Sequence, residues 1–181
     1  GTNLNGVAFG GNGTFVSVGD NGIIIWSEDL GSTWGIVGNV TKRNLNNIRW
    51  IPNALPEIGS TKGLFIAVGA AGTVISSPNG LNSWSKYSAG TTNALNDISF
   101  VNNLYFAVGN KGTVAESSDS FYWNLRNYYQ ATDLLSVAKN GATPILSGAG
   151  GLLLTETGEY IVEWAVRGIS FEMFNYSTPE S

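Results

Sequence analysis

Short apolar runs of four to six residues, each ending at a glycine or a polar pair, recur along the chain about every 40–50 positions. Each unit opens with one such run: LNGVAF (4–9), LNNIRW (45–50), LNDISF (95–100) and LLSVA (134–138). A second run ends in glycine: FVSVG (15–19), FIAVG (65–69), YFAVG (105–109) and PILSG (144–148). An intervening pair then leads to a second glycine, at Gly22, Gly72, Gly112 and Gly151. The pairs (Asp20-Asn21, Ala70-Ala71, Asn110-Lys111 and Ala149-Gly150) sit where a tight hairpin turn is expected, with glycine supplying positive φ at its exit. A third run follows: IIIWS (23–27), TVISS (73–77), TVAES (113–117) and LLLTE (152–156). A tryptophan then opens the fourth: Trp34, Trp84, Trp123 and Trp164, spaced 12, 12, 11 and 13 residues from the preceding glycine.

The second and third runs are apolar at successive positions, as in VSV or III, which marks strands covered on both faces. Antiparallel meanders whose strands are buried twice must pack sheet on sheet. The pattern therefore predicts an all-β chain, a β-propeller of four four-stranded antiparallel blades, with membership of a larger ring as the alternative. The blades are expected near 4–41, 45–91, 95–131 and 134–168 within a propeller at 1–170. Residues 171–181 form a tail or an extra strand, since FEMFNY (171–176) alternates apolar and polar residues. A complete small ring is the expectation; the alternative ring would be completed by further sequence or by another copy. The insertion NALPEIGSTKG (53–63) reads as a surface loop.

Composition narrows the chemistry. In 181 residues, charged side chains make up only 12% and glycine contributes 24 positions, so Asn, Ser and Thr must supply most of the polar surface. Such a surface suits an extracellular or virion setting. Without cysteine there is no disulfide framework, and without histidine zinc ligation is effectively excluded, so neither a metal nor a cofactor is expected. A net charge of −4 with no basic stripe argues against nucleic-acid binding. No apolar stretch approaches a membrane span. The sequence opens on Gly1 with no visible signal peptide, as a processed product or a piece of a longer chain would.

Residues 27–34 read Ser-x-Asp-x-Gly-x-Thr-Trp, through Ser27, Asp29, Gly31 and Trp34. This resembles the Asp-box, or bacterial neuraminidase repeat, of sialidase-like propellers. Weaker copies keep Ser77, Asn79 and Trp84, then Ser117, Asp119 and Trp123, and finally only Trp164 beside two threonines. The whole chain is similar to propellers found in phage tail or virion proteins, secreted bacterial proteins and photosystem II assembly factors. The motif itself reads as a folding device. Asp29 accepts backbone N–H groups across its turn, Ser27 adds a hydroxyl, and the Trp34 ring covers the hairpin. If so, loss of that ring should cost about 3–5 kcal/mol.

Catalysis finds little support. The sialidase resemblance would require three arginines, a Tyr-Glu pair and an acid, against four scattered arginines in this chain. Arg49, in RWIP (49–52), aligns with Ala8 and Ser99 and reads as a lone strand substitution. Asp97 and Asp133 are the acids near first-strand starts; Asp97, with Asn5, Asn46 and Asn96, is expected to cap turns or line a wet channel. Binding is the better reading. The turn-side face of the propeller would gather Asp20, Asn21, Asn110 and Lys111 from the turns, with Lys42, Arg43, Tyr128, Tyr129 and Gln130 from the connections. Tyrosines beside amides suit sugar stacking or a protein epitope. The expectation is a non-catalytic phage virion or tail component. It would recognise a cell-surface glycan or protein, or scaffold neighbouring virion proteins, and could form a homo-oligomer. The alternatives are a glycoside hydrolase-like or an assembly-factor-like propeller.

Overall fold

The computed structural model describes residues 1–11, 13–38, 40–52, 63–126, 131–155, 161–167 and 170–176. They fold into four antiparallel sheets, each formed by consecutive strands in chain order. Blade 1 holds β1 (Leu4–Phe9), β2 (Phe15–Gly19), β3 (Ile24–Ser27) and β4 (Gly35–Val37). Blade 2 holds β5 (Leu45–Ile51), β6 (Leu64–Gly69), β7 (Thr73–Ser77) and β8 (Ser85–Ser88). Blade 3 holds β9 (Leu95–Val101), β10 (Leu104–Gly109), β11 (Val114–Ser117) and β12 (Asn124–Arg126). Blade 4 holds β13 (Leu134–Asn140), β14 (Thr143–Gly148), β15 (Leu152–Thr155) and β16 (Ile161–Arg167). It also gains a fifth strand, β17 (Ser170–Tyr176), which takes up the FEMFNY segment and pairs with β16. This is the architecture of a four-bladed β-propeller chain, with the glycine-punctuated runs as its strands.

The doubly apolar runs are buried as their pattern requires, and every residue of β6 and of β7 is buried. Their two faces serve two different joints. Val16, Val18 and Ile24 form the trailing face of blade 1, packed on Leu45, Ile48, Phe65 and Ile75 of the leading face of blade 2. Ile66, Val68 and Val74 then meet Leu95, Ile98 and Tyr105 of blade 3. Phe106, Val108 and Val114 meet Leu134, Val137 and Leu146 of blade 4. Each fully buried aliphatic or aromatic side chain contributes about 1.5–3 kcal/mol of transfer free energy, so these joints are the main source of stability.

The second and third strands are joined by a single 3-10 turn rather than a two-residue hairpin. Its middle residue takes positive φ at Asn21, Ala71, Lys111 and Gly150, and the following glycine does the same. Gly72 has a second reason to be glycine: a Cβ there would lie 2.3 Å from the Thr91 carbonyl oxygen of the connection to blade 3. Each turn is tied to the residue before its own first strand, as in Asp20 N–H to Asn3 and Asn110 N–H to Ala94. Turns and interblade connections therefore share one side of the molecule.

The first strands carry a bulge at one repeated position: Asn5, Asn46, Asn96 and Leu135. A bulge re-aims its side chain. The three amides use this to reach the next blade, donating to the carbonyls of Leu45, Leu95 and Leu134 at 3.0, 2.8 and 2.7 Å.

The tryptophan corners correct one expectation. Trp84 and Trp123 pack against the cores between blades 1 and 2 and between blades 2 and 3. Trp34 is 44% exposed and does not seal blade 1 as expected. Its partners would belong to a blade preceding blade 1, and no described residue fills that place. Trp164 also departs from the pattern, standing within β16 rather than just ahead of it.

Candidate binding face

The Ser-x-Asp turns are built alike in three blades. The buried Ser27, Ser77 and Ser117 hydroxyls donate to Asp29, Asn79 and Asp119 at 2.7, 3.0 and 3.0 Å. Each hydroxyl also accepts the N–H of a positive-φ residue (Gly31, Gly80 or Ser120) at 2.9 Å. That residue's carbonyl receives the indole N–H of Trp34, Trp84 or Trp123. Asp29 accepts the hydroxyl and the N–H of Thr33, which with the Ser27 hydroxyl hold its carboxyl down to about 2. At Asp119, burial pushes upward, but the Tyr122 and Phe121 N–H groups and the Ser117 hydroxyl together leave the carboxyl lowered. These acids are consumed in holding turns.

On the turn side, Asp20, Asn21 and Lys42 line an open groove of ≈ 400 Å³ together with Thr2, Ile36 and Thr41. Asp20 accepts the Asn5 and Asn3 amides, whose hydrogen bonds lower its carboxyl and fix it toward β1. The Asn21 N–H is held by the Asn44 side chain at 2.9 Å, which leaves the Asn21 amide exposed beside the groove. Lys42 is exposed. Arg43 is exposed too, with its N–H on Thr41 Oγ1, but it does not line the groove.

The structure separates the remaining candidates from this groove. Asn110 and Lys111 occupy the equivalent turn of blade 3, where Asn110 accepts the Asn96 amide and the Lys111 N–H donates to Asp133. Tyr128, Tyr129 and Gln130 lie outside the described residues. Thr2, Asn3, Thr41 and Asn44 were missed. Their signal was positional: Thr2 and Asn3 stand just ahead of β1, and Thr41 and Asn44 just ahead of β5, outside the repeated apolar runs.

A second polar cluster joins the inner strands. Asp97, almost wholly buried, accepts from Asn47 Nδ2 at 2.7 Å and its neighbour Ile98 N–H at 2.8 Å. It also accepts the Ser136 hydroxyl at 2.6 Å and the Val137 N–H at 3.1 Å. The half-exposed Arg49 guanidinium lies on both its oxygens, with Nη2 at 3.0 Å from each. Arg49 is thus no lone substitution, which corrects the sequence reading; it is pinned to a neighbouring blade. Asp97 ties blades 2, 3 and 4 together with its acceptor positions filled. Among the described residues, no group of three or more carboxylates is placed to hold a metal ion.

No protein-family model and no curated protein matches the chain. Among solved structures, the fold is similar to the computationally designed protein Ika4, with TM-score 0.64 and 14% identity over 84% of this chain and 89% of that one. It is similar to the designed Ika8 at TM-score 0.66 and 13% identity, covering 95% of this chain and 58% of that one. It is also similar to YCF48 from Cyanidioschyzon merolae at TM-score 0.60 and 15% identity, covering 98% and 57%. The chain thus spans under two thirds of the latter two proteins. Each likeness is one of fold.

Proposed function

We propose that this chain is a non-catalytic binding propeller of a phage virion or tail, which recognises a cell-surface glycan through its turn-side groove. The supporting observation is the groove itself. The Asn21 amide and Lys42 ammonium stand beside the Ile36 apolar surface, and the Asp20 carboxylate is held in place by Asn3 and Asn5. An amide, a hydroxyl and a fixed carboxylate beside an apolar wall offer the donors, acceptors and contact area that a sugar ring uses. The cysteine-free, weakly charged composition fits an exposed particle surface. The saturated Asp97 and the turn-bound Asp29 and Asp119 leave these acids without a free position for acid–base work on a substrate.

The test is binding to an array of bacterial surface polysaccharide fragments, with a parallel assay for released reducing sugar. Binding should fall at least about tenfold, or 1.4 kcal/mol, in Lys42→Glu with Asn21→Gly, which keeps the positive φ, while the melting temperature stays nearly unchanged. Sugar release by the parent chain, or binding indifferent to both substitutions, would overturn the proposal.

A further inference from the structure

The two ends of the blade stack are less covered than the joints within it, and they are complementary. Leu4 and Val7 on the leading face of blade 1 are 52% and 62% exposed. Their counterparts in the repeat, Leu45 and Ile48, Leu95 and Ile98, and Leu134 and Val137, are no more than 3% exposed. Phe9, paired with Phe15 as Trp50 is with Phe65, is exposed as well. The exposed Trp34 corner belongs to the same face, because Trp84 and Trp123 seal the corresponding joints of blades 2 and 3. At the other end, Ile145 and Leu153 on the trailing face of blade 4 are only partly buried. Their counterparts Val16 and Ile24, Ile66 and Val74, and Phe106 and Val114 are no more than 3% exposed. No charged side chain stands among these leading and trailing positions.

We propose that the leading face of blade 1 receives the trailing face of blade 4 from a second copy of this chain. Two chains then close one ring of eight blades. The joint repeats the front-to-back packing already made three times within the chain. Two such joints related by a two-fold axis close, and eight blades lie within the usual range for propellers. The bulge position specifies the match. Asn5, Asn46 and Asn96 reach the leading leucine of the following blade. Blade 4 carries Leu135 at that position, 53% exposed, and the leucine it would reach is the exposed Leu4 of the other copy. An apolar latch replaces the amide latch in blade 4, whose trailing-face residues Ile145 and Leu153 no described residue fully covers. This inference does not depend on the groove or its ligand.

Sedimentation and native mass measurement on the chain test it. A species of about 38 kDa, twice the 19.2 kDa chain, is expected at micromolar concentration. Val7→Glu should weaken association at least about tenfold with the strand circular-dichroism signal retained. Ile36→Glu should leave it intact, because Lys86 and Leu125 are exposed at the same position in covered blades. The chain has no cysteine, so Leu4→Cys with Leu135→Cys reads the contact directly. Mild oxidation should give a covalent two-chain species that neither single variant gives in comparable yield. A monomer at all concentrations, an open-ended polymer, or a dimer indifferent to Val7→Glu would each overturn the proposal. So would failure of the double-cysteine pair to cross-link.

Discussion

Removing the Asp97 carboxylate perturbs a side chain that ties three blades together. Asp97→Ala strips partners from the Asn47 amide, the Ser136 hydroxyl and the Ile98 and Val137 N–H groups, all beside a buried position. Each donor left dry costs about 1–3 kcal/mol. The Arg49 guanidinium is half exposed and can return to water, so the larger penalty of a stranded buried charge does not arise. Allowing that some donors find solvent, the sum is about 3–5 kcal/mol. At roughly 2–4 °C per kcal/mol for a domain of this size, the melting temperature should fall by about 6–20 °C. Arg49→Ala leaves the other donors on Asp97 and should cost only about 1–2 kcal/mol. Urea and thermal unfolding of both variants and the double variant give the coupling directly. An Asp97→Ala melting temperature within about 2 °C of the parent would refute the reasoning. So would a loss in Arg49→Ala as large as that in Asp97→Ala.

The tryptophan corners should grade by burial in the single chain. Trp84→Ala and Trp123→Ala should cost about 3–5 kcal/mol in urea unfolding and Trp34→Ala about 1 kcal/mol, and equal losses would contradict the assignment. Gly72→Ala combines a strained φ with a clash against the Thr91 carbonyl and should destabilise by at least about 2 kcal/mol; a neutral result would mean that the turn relaxes freely. Asp29 has a folded carboxyl near 2 against an ordinary 3.8, so its stabilisation is complete above the ordinary value and is lost as pH falls toward 2. Asp29→Asn should therefore flatten the decline in melting temperature between about pH 4 and pH 2. An unaltered slope would show that the Thr33 and Ser27 bonds do not favour the ionised form.

The strands and turns were legible because they depend on local rules. Glycine pairs such as Gly19 and Gly22 mark the turn, and doubly apolar runs such as FIAV mark strands covered on both sides. Ser27 and Asp29 likewise act within one turn, so their hydrogen bonds follow from spacing. Trp34 was misread because its turn is local but its burial depends on a neighbouring sheet, which the motif does not encode. The Arg49–Asp97 pin was missed for a related reason. Its residues stand 48 positions apart on different blades, and Arg49 reads alone as a strand substitution while Asp97 reads as a turn or channel residue. Their shared signal was two opposite charges on the inner strands of successive blades, only two repeat positions apart. The groove was half legible: turn residues Asp20 and Asn21 were found, while Thr2 and Thr41 lay in segments without periodicity.

Hydroxyl-radical footprinting, read residue by residue at a dilution where the chain sediments as a monomer, tests the stacking of the blades most directly. Phe9 and Trp34 should be oxidised readily, while Phe65 and Tyr105, the counterparts of Phe15 within the covered joints, should be protected. Equal protection of Phe9, Trp34, Phe65 and Tyr105 in the monomer would mean that the chain covers its own first blade, and an open stack running from blade 1 to blade 4 would be ruled out.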